Sequence, residues 1–154
     1  MNVDGRPHTH FVLKFPNIFG NGADQIPLGS TINSATLTLK VTNSTDSDPD
    51  LYQLLEGWDE SKVTWEERAD DFGWSDEGAD GTGSHKADAI GQFPATRNGN
   101  QSMDVTVTLQ NWSNGEANVG WVLIDNSNNG ADFGSSEARR DRDRPKLTVN
   151  YTTP

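Results

Sequence analysis

Two tryptophans, Trp58 and Trp65, bracket the run Asp59-Glu60-Ser61-Lys62-Val63-Thr64, and a third, Trp74, follows in Phe72-Gly73-Trp74-Ser75. A flat indole face packs against the C–H face of a pyranose, so an exposed tryptophan suits sugar stacking. Trp74 lies in a stretch rich in Gly and Asp, and it is the residue expected to present such a face. Trp58 and Trp65 are expected to fill the end of the fold. Between them and beyond, Thr64-Trp65-Glu66-Glu67 fits a capping box that starts one short helical turn. Trp112 and Trp121 fall at apolar, core-type positions.

Arg139, Arg140, Arg142 and Arg144, with Lys146, form the one dense basic cluster. Guanidinium groups grip carboxylate or sulfate through two parallel hydrogen bonds. Arg139 and Arg140 are therefore the first candidates for contact with an anionic ligand. The interleaved Asp141 and Asp143 support a second reading, in which the arginines pair internally on a surface loop. Arg144 precedes Pro145 and reads as structural. Lys14 and Lys40, like Lys146, point away from the apolar side of their strands. They line one outer face if those strands are neighbours; otherwise they protect strand edges.

Asp46, Asp48 and Asp50 stand at i, i+2 and i+4 and supply the oxygen ligands that a hard cation such as Ca²⁺ prefers. The run is no EF-hand, because Gly57 occupies the place of the distal Glu. Asp76, Glu77 and Asp80 are an equal candidate, and either group also reads as a solvated acidic loop. His8-Thr9-His10 places two imidazoles on one face of an extended strand, which begins a transition-metal site. No Glu follows at a ligating distance, and His85 is the one other histidine. No Gly-x-Ser-x-Gly elbow and no phosphate-cradling glycine loop occurs.

The 154 residues include 12 Lys plus Arg and 23 Asp plus Glu, for a net charge of −11. That charge argues against a nucleic-acid binder and against attraction to an anionic membrane. No apolar stretch is long enough for a transmembrane helix. The first residues lack the basic and apolar regions of a signal peptide; a module cut from a longer secreted chain would read the same. The absence of cysteine removes disulfides, thiolate metal sites and thiol nucleophiles.

The elements that must position these groups are strands. Apolar residues alternate at Phe11, Leu13 and Phe15; at Ala35, Leu37, Leu39 and Val41; at Met103, Val105, Val107 and Leu109; and at Leu147, Val149 and Tyr151. Period-2 patterning predicts half-buried antiparallel strands. Leu51–Leu55 and Val119–Ile124 are apolar on both faces and read as central strands. The expected fold is a single all-β antiparallel sandwich over 1–154. Phe11, Leu37, Leu39, Val105, Val107, Trp121 and Val149 are its predicted core. Leu109-Gln110-Asn111-Trp112 also admits a helical turn stopped by Asn114-Gly115. Glu56–Asn100 carries little periodicity; a stretch that long inside a compact domain is usually functional. A short strand is expected within Ala87–Phe93.

Four ordered stretches carry a family likeness. They are Val3-Asp4-Gly5 with His10–Phe15; Gln25–Ile32 leading into Ser34–Leu39; Trp58–Trp65; and Asp104–Thr106, Leu109–Trp112, Asn118–Trp121, Phe133–Glu137 and Arg144–Tyr151. The chain resembles the DNRLRE-type modules related to the family 96 carbohydrate-binding modules. The resemblance implies a jelly-roll β-sandwich from an extracellular bacterial protein, covalently linked to an enzyme or surface domain. It implies binding of a polysaccharide, an acidic one such as alginate in characterised relatives, with no catalysis. A structural Ca²⁺ is expected on the general habit of jelly-roll modules. Such modules usually carry an extra stretch with a first strand before the Val-Asp-Gly; this sequence starts almost at that point, so the strand is expected to be either trimmed away or absent. The competing functions are a structural or adhesive spacer and, third, a small polysaccharide-degrading enzyme.

Overall fold

The computed structural model describes all residues from Met1 to Pro154. The chain runs through β1 (Asn2–Gly5), β2 (His8–Thr9), β3 (Phe11–Leu13), β4 (Thr31–Asn43), β5 (Asp50–Gln53), β6 (Glu67–Ala69) and β7 (Phe72–Gly73). It continues through β8 (Gly91–Gln92), β9 (Gly99–Asp104), α1 (Thr106–Ser113), β10 (Trp121–Ile124), β11 (Ala131–Phe133) and β12 (Lys146–Thr152). The fold is an all-β sandwich. Every strand pairing between these elements is antiparallel.

The long strand β4 organises the first sheet. Thr36, Leu37 and Thr38 have partners in both β9 and β12, so these two strands flank opposite edges of β4. Beyond β12, β11 pairs with the end of β4, and β1 and β2 extend the sheet. The predicted alternation holds along β4: Ala35, Leu37, Leu39 and Val41 are buried, and Thr36, Thr38 and Lys40 are not. The second sheet has the order β3-β10-β5-β8, with β8 inside the segment where a short strand was expected.

The main core lies between the sheets. It joins Val3, Leu37, Leu39, Ala131 and Phe133 of the first sheet to Leu51, Trp121 and Leu123 of the second. Full burial of each such side chain stabilises by roughly 1.5–3 kcal/mol relative to exposure. Gly120 has φ +90 and sits where a Cβ would lie 2.1 Å from the Leu13 carbonyl oxygen. Only glycine lets β10 approach β3 this closely.

A second apolar cluster explains why β10 is apolar on both faces. Val122 and Ile124 point away from the main core and meet Leu54, Trp74 and Ala79. The first part of the Glu56–Asn100 segment thus wraps the outer face of the second sheet, before Phe93 and Ala95 return to the main core. It includes the hairpin β6–β7 and an isolated bridge from His85 to Leu54.

Two expectations fail locally. The alternation from Met103 to Leu109 does not continue as a strand, because the chain turns into α1 after Asp104. The Asp104 carboxylate accepts the Thr106 N–H at 2.8 Å, an Asx-turn that ends the extension just ahead of the helix. Val105, Thr108, Leu109 and Trp112 then bury at helical spacing, and Val107 turns outward, 73 % exposed. Val107 is therefore a surface residue, not core. The Thr64–Glu67 capping residues do bond, with Thr64 Oγ1 accepting the Glu67 N–H at 3.0 Å. They close a turn into β6 and start no helix.

Candidate functional site

At His10 the chain crosses from the first sheet, in β2, to the second, in β3. The open edge of the sandwich left by this crossing faces the wrapping segment. A groove of about 570 Å³ lies there, bounded by His8–Val12, by Trp58, Glu60, Trp65 and Trp74, and by Ser135–Glu137.

Trp65 supplies its aromatic surface. The indole is 38 % exposed, lies 5.0 Å from the His10 ring between centroids, and has His8 at 6.4 Å. Its backbone carbonyl accepts the Gly78 N–H at 2.6 Å. The Gly78 carbonyl is 2.9 Å from His10 Nδ1; a carbonyl only accepts, so Nδ1 carries the proton. His10 Nε2 is buried and has no partner. Burial is the largest influence on this imidazole and pushes its pKa below the usual 6.5. The Gly78 carbonyl and Asp80 favour the charged form, while His8 and His85 oppose it.

Trp58 is fixed at both ends. Its Nε1–H donates to the Val119 carbonyl at 2.9 Å, and its own carbonyl accepts from Lys14 Nζ at 2.6 Å. The Lys14 ammonium also sits 4.3 Å from the Trp58 ring centroid, a cation–π contact that occupies the ring face.

The anticipated site residues fall in different places. Trp74 is only 8 % exposed and donates its Nε1–H to the Thr64 carbonyl at 3.1 Å. It is a wall of the groove packed into the second cluster, and the exposed face expected of it belongs to Trp65. Lys14 follows β3 in the second sheet and is engaged by Trp58, so the three lysines do not share a face. Lys40 and Lys146 do share the outer face of the first sheet: Lys146 lies opposite Thr38, the outward neighbour of Lys40 along β4.

Arg139 and Arg140 are exposed and make no salt bridge. Arg144 does pair, at 2.8 Å with Asp141, and its Nε–H donates to the Ala138 carbonyl. Internal pairing thus accounts for Arg144 alone among the cluster. The loop adjoins Lys40, whose carbonyl accepts the Gly134 N–H at 2.8 Å.

The aspartates do not gather. No group of three or more His, Asp or Glu side chains converges on a point that a metal ion could occupy. Asp48 Oδ1 is bonded to the Ala95 N–H at 2.8 Å, Asp46 is exposed and Asp50 lies in β5. The chain bends at Asp46 and Ser47 before entering β5 at Asp50, and this path does not bring the three carboxylates together. His8 and His10 likewise have no third ligand beside them.

The groove thus presents one exposed indole framed by imidazoles, hydroxyls and carboxylates on an all-β frame. The family model for carbohydrate-binding module family 96 matches residues 24–151. The chain belongs to that family. No curated protein and no solved structure matches it.

Proposed function

We propose that this module holds a polysaccharide chain in the Trp65 groove, without catalysis, and keeps a covalently attached enzyme or surface domain beside its substrate outside the cell. Tethering of this kind raises effective concentration with no new chemistry. The observation that carries the reading is the exposed Trp65 indole, backed by Gly78 and His10 and open to the groove. A pyranose stacks on its free face, and the polar rim accepts and donates hydrogen bonds to hydroxyls.

The preferred ligand in this reading is acidic. Arg139 and Arg140 have no ionic partner inside the fold and follow Glu137, which lines the groove. Lys40 and Lys146 extend the same positive surface across the first sheet. On a chain of net charge −11, a local positive patch makes short-range contacts that the wider field opposes.

Native gels cast with alginate, pectin, xylan or cellulose test the proposal. Retardation by alginate or pectin, with no reducing ends released on long incubation, is the expected result. Equal mobility in all four gels would leave a spacer module; retardation by the neutral polymers alone would remove the acidic-ligand reading.

A further inference from the structure

Among the ionisable side chains lining the groove, His8, Glu60 and Glu137 are exposed and His10 is partly buried. It sits at the crossing of the sheets, tied through Nδ1 to the Gly78 carbonyl, against the ring of Trp65. Gly78 in turn donates to the Trp65 carbonyl. The three residues form a closed chain of contacts, and Nε2 is the atom left over, buried and without a partner.

We propose that His10 is a positioning residue for the Trp65 platform, and that its neutral ring holds the groove in its binding shape so that glycan binding fails in acid. This rests on the reading of the groove given above. With Nδ1–H bonded to Gly78, the neutral ring leaves Nε2 as a bare acceptor, which an enclosed site tolerates at modest cost. Protonation adds an N–H and a charge at Nε2, where no acceptor stands within reach. A buried, unpaired charge is far more costly. The charged ring must therefore turn toward water, releasing Gly78 and withdrawing support from Trp65.

The groups facing His10 decide the balance. Asp80 attracts the imidazolium, and His8 and His85 disfavour it. Glu60, Glu137 and Met1 line the groove beyond them, with the Met1 amine held by the Phe133 carbonyl. Burial outweighs the attraction. The sign follows from linkage. The closed state prefers the neutral ring, while an opened state titrates near the ordinary value. Closure is therefore fully favoured above about pH 6.5 and weakens as the pH falls toward the lowered value.

Tryptophan fluorescence with acrylamide quenching, followed from about pH 7.5 to about pH 5, reads the platform directly. Wild type is expected to show a transition with its midpoint below 6.5. The transition should persist in His8→Asn and vanish in Trp65→Phe and His10→Asn. Asparagine keeps a donor for the Gly78 carbonyl but does not titrate. On alginate gels, wild type should lose retardation across the same range and His10→Asn should not. A transition that is missing in wild type, or unchanged in His10→Asn and in a second variant, His10→Gln, overturns the proposal. So does His10→Asn binding reduced equally at every pH, which is the mark of a merely structural role. A His10-dependent transition without retardation by any polysaccharide supports the switch and refutes the groove's assignment to glycans.

Discussion

Gly78 lies against the six-membered ring of Trp65 so closely that a Cβ at position 78 would stand 2.5 Å from Cη2 and 2.7 Å from Cζ2 and Cζ3. Its φ of +72 adds a second reason for glycine. The platform is thus built on an absent side chain. Gly78→Ala should displace the indole and weaken polysaccharide retardation. The backbone strain costs about 1–2 kcal/mol, so most of the fold should survive. A melting curve beside the gel assay separates the two effects.

Substituting Arg139 and Arg140 together by Ala should reduce retardation by alginate and shift the melting point little, because neither forms an internal ion pair. Wild-type binding to the acidic polymer should weaken as salt rises past about 0.1 M, where screening acts over about 10 Å. Binding that ignores both the double substitution and salt would assign the contact to the aromatic surface alone.

Glu56 anchors the wrapping segment. Its carboxylate accepts from the Ser75 N–H at 3.0 Å, the Ser75 hydroxyl at 2.7 Å and the Ser84 hydroxyl at 2.7 Å, with Arg68 at 3.6 Å. Burial alone would raise its pKa; the bonds from Ser75 and Ser84, with Arg68, outweigh that and leave it below 4.5. A depressed carboxylate contributes stability that is complete above the unfolded value and lost as pH falls through the folded one. Glu56→Gln should therefore lower the melting point near neutrality and flatten its decline below about pH 4.5. An acid limb as steep as that of wild type would place the sensitivity elsewhere.

Leu37 lies at the centre of β4 and is fully buried between the sheets. Leu37→Ala should cost roughly 2–5 kcal/mol in denaturant unfolding, the lost transfer term plus a residual cavity. Val107→Ala, on the solvent side of α1, should change stability by under about 0.5 kcal/mol.

The frame was legible where one face is wet. Ala35, Leu37, Leu39 and Val41 alternate with Thr36, Thr38 and Lys40, and that pattern specifies one sheet face without outside information. From Met103 to Leu109 the same pattern is ambiguous, because Val105, Leu109 and Trp112 also satisfy a helical face. The turn closed by Asp104 on the Thr106 N–H, which the alternation conceals, favours the helix. The site was legible in its chemistry but not in its membership. Glycines and acids around Trp74 suggested exposure, yet the outer face of β10 needed covering and Trp74 covers it. Trp65 gained the exposed role through Gly78 and His10, partners distant along the chain. The glycine at position 78 was the usable signal: glycine there permits a close approach, but nothing in a linear reading names what approaches.

The most direct measurement is a titration of alginate against wild type and Trp65→Ala near neutral pH, with melting points for both. Saturable binding by wild type is expected. At least a tenfold loss is expected in the variant, about 1.4 kcal/mol, with a nearly unchanged melting point because Trp65 is partly exposed. Binding by a well-folded Trp65→Ala at wild-type strength would contradict the assignment of this groove as the glycan site.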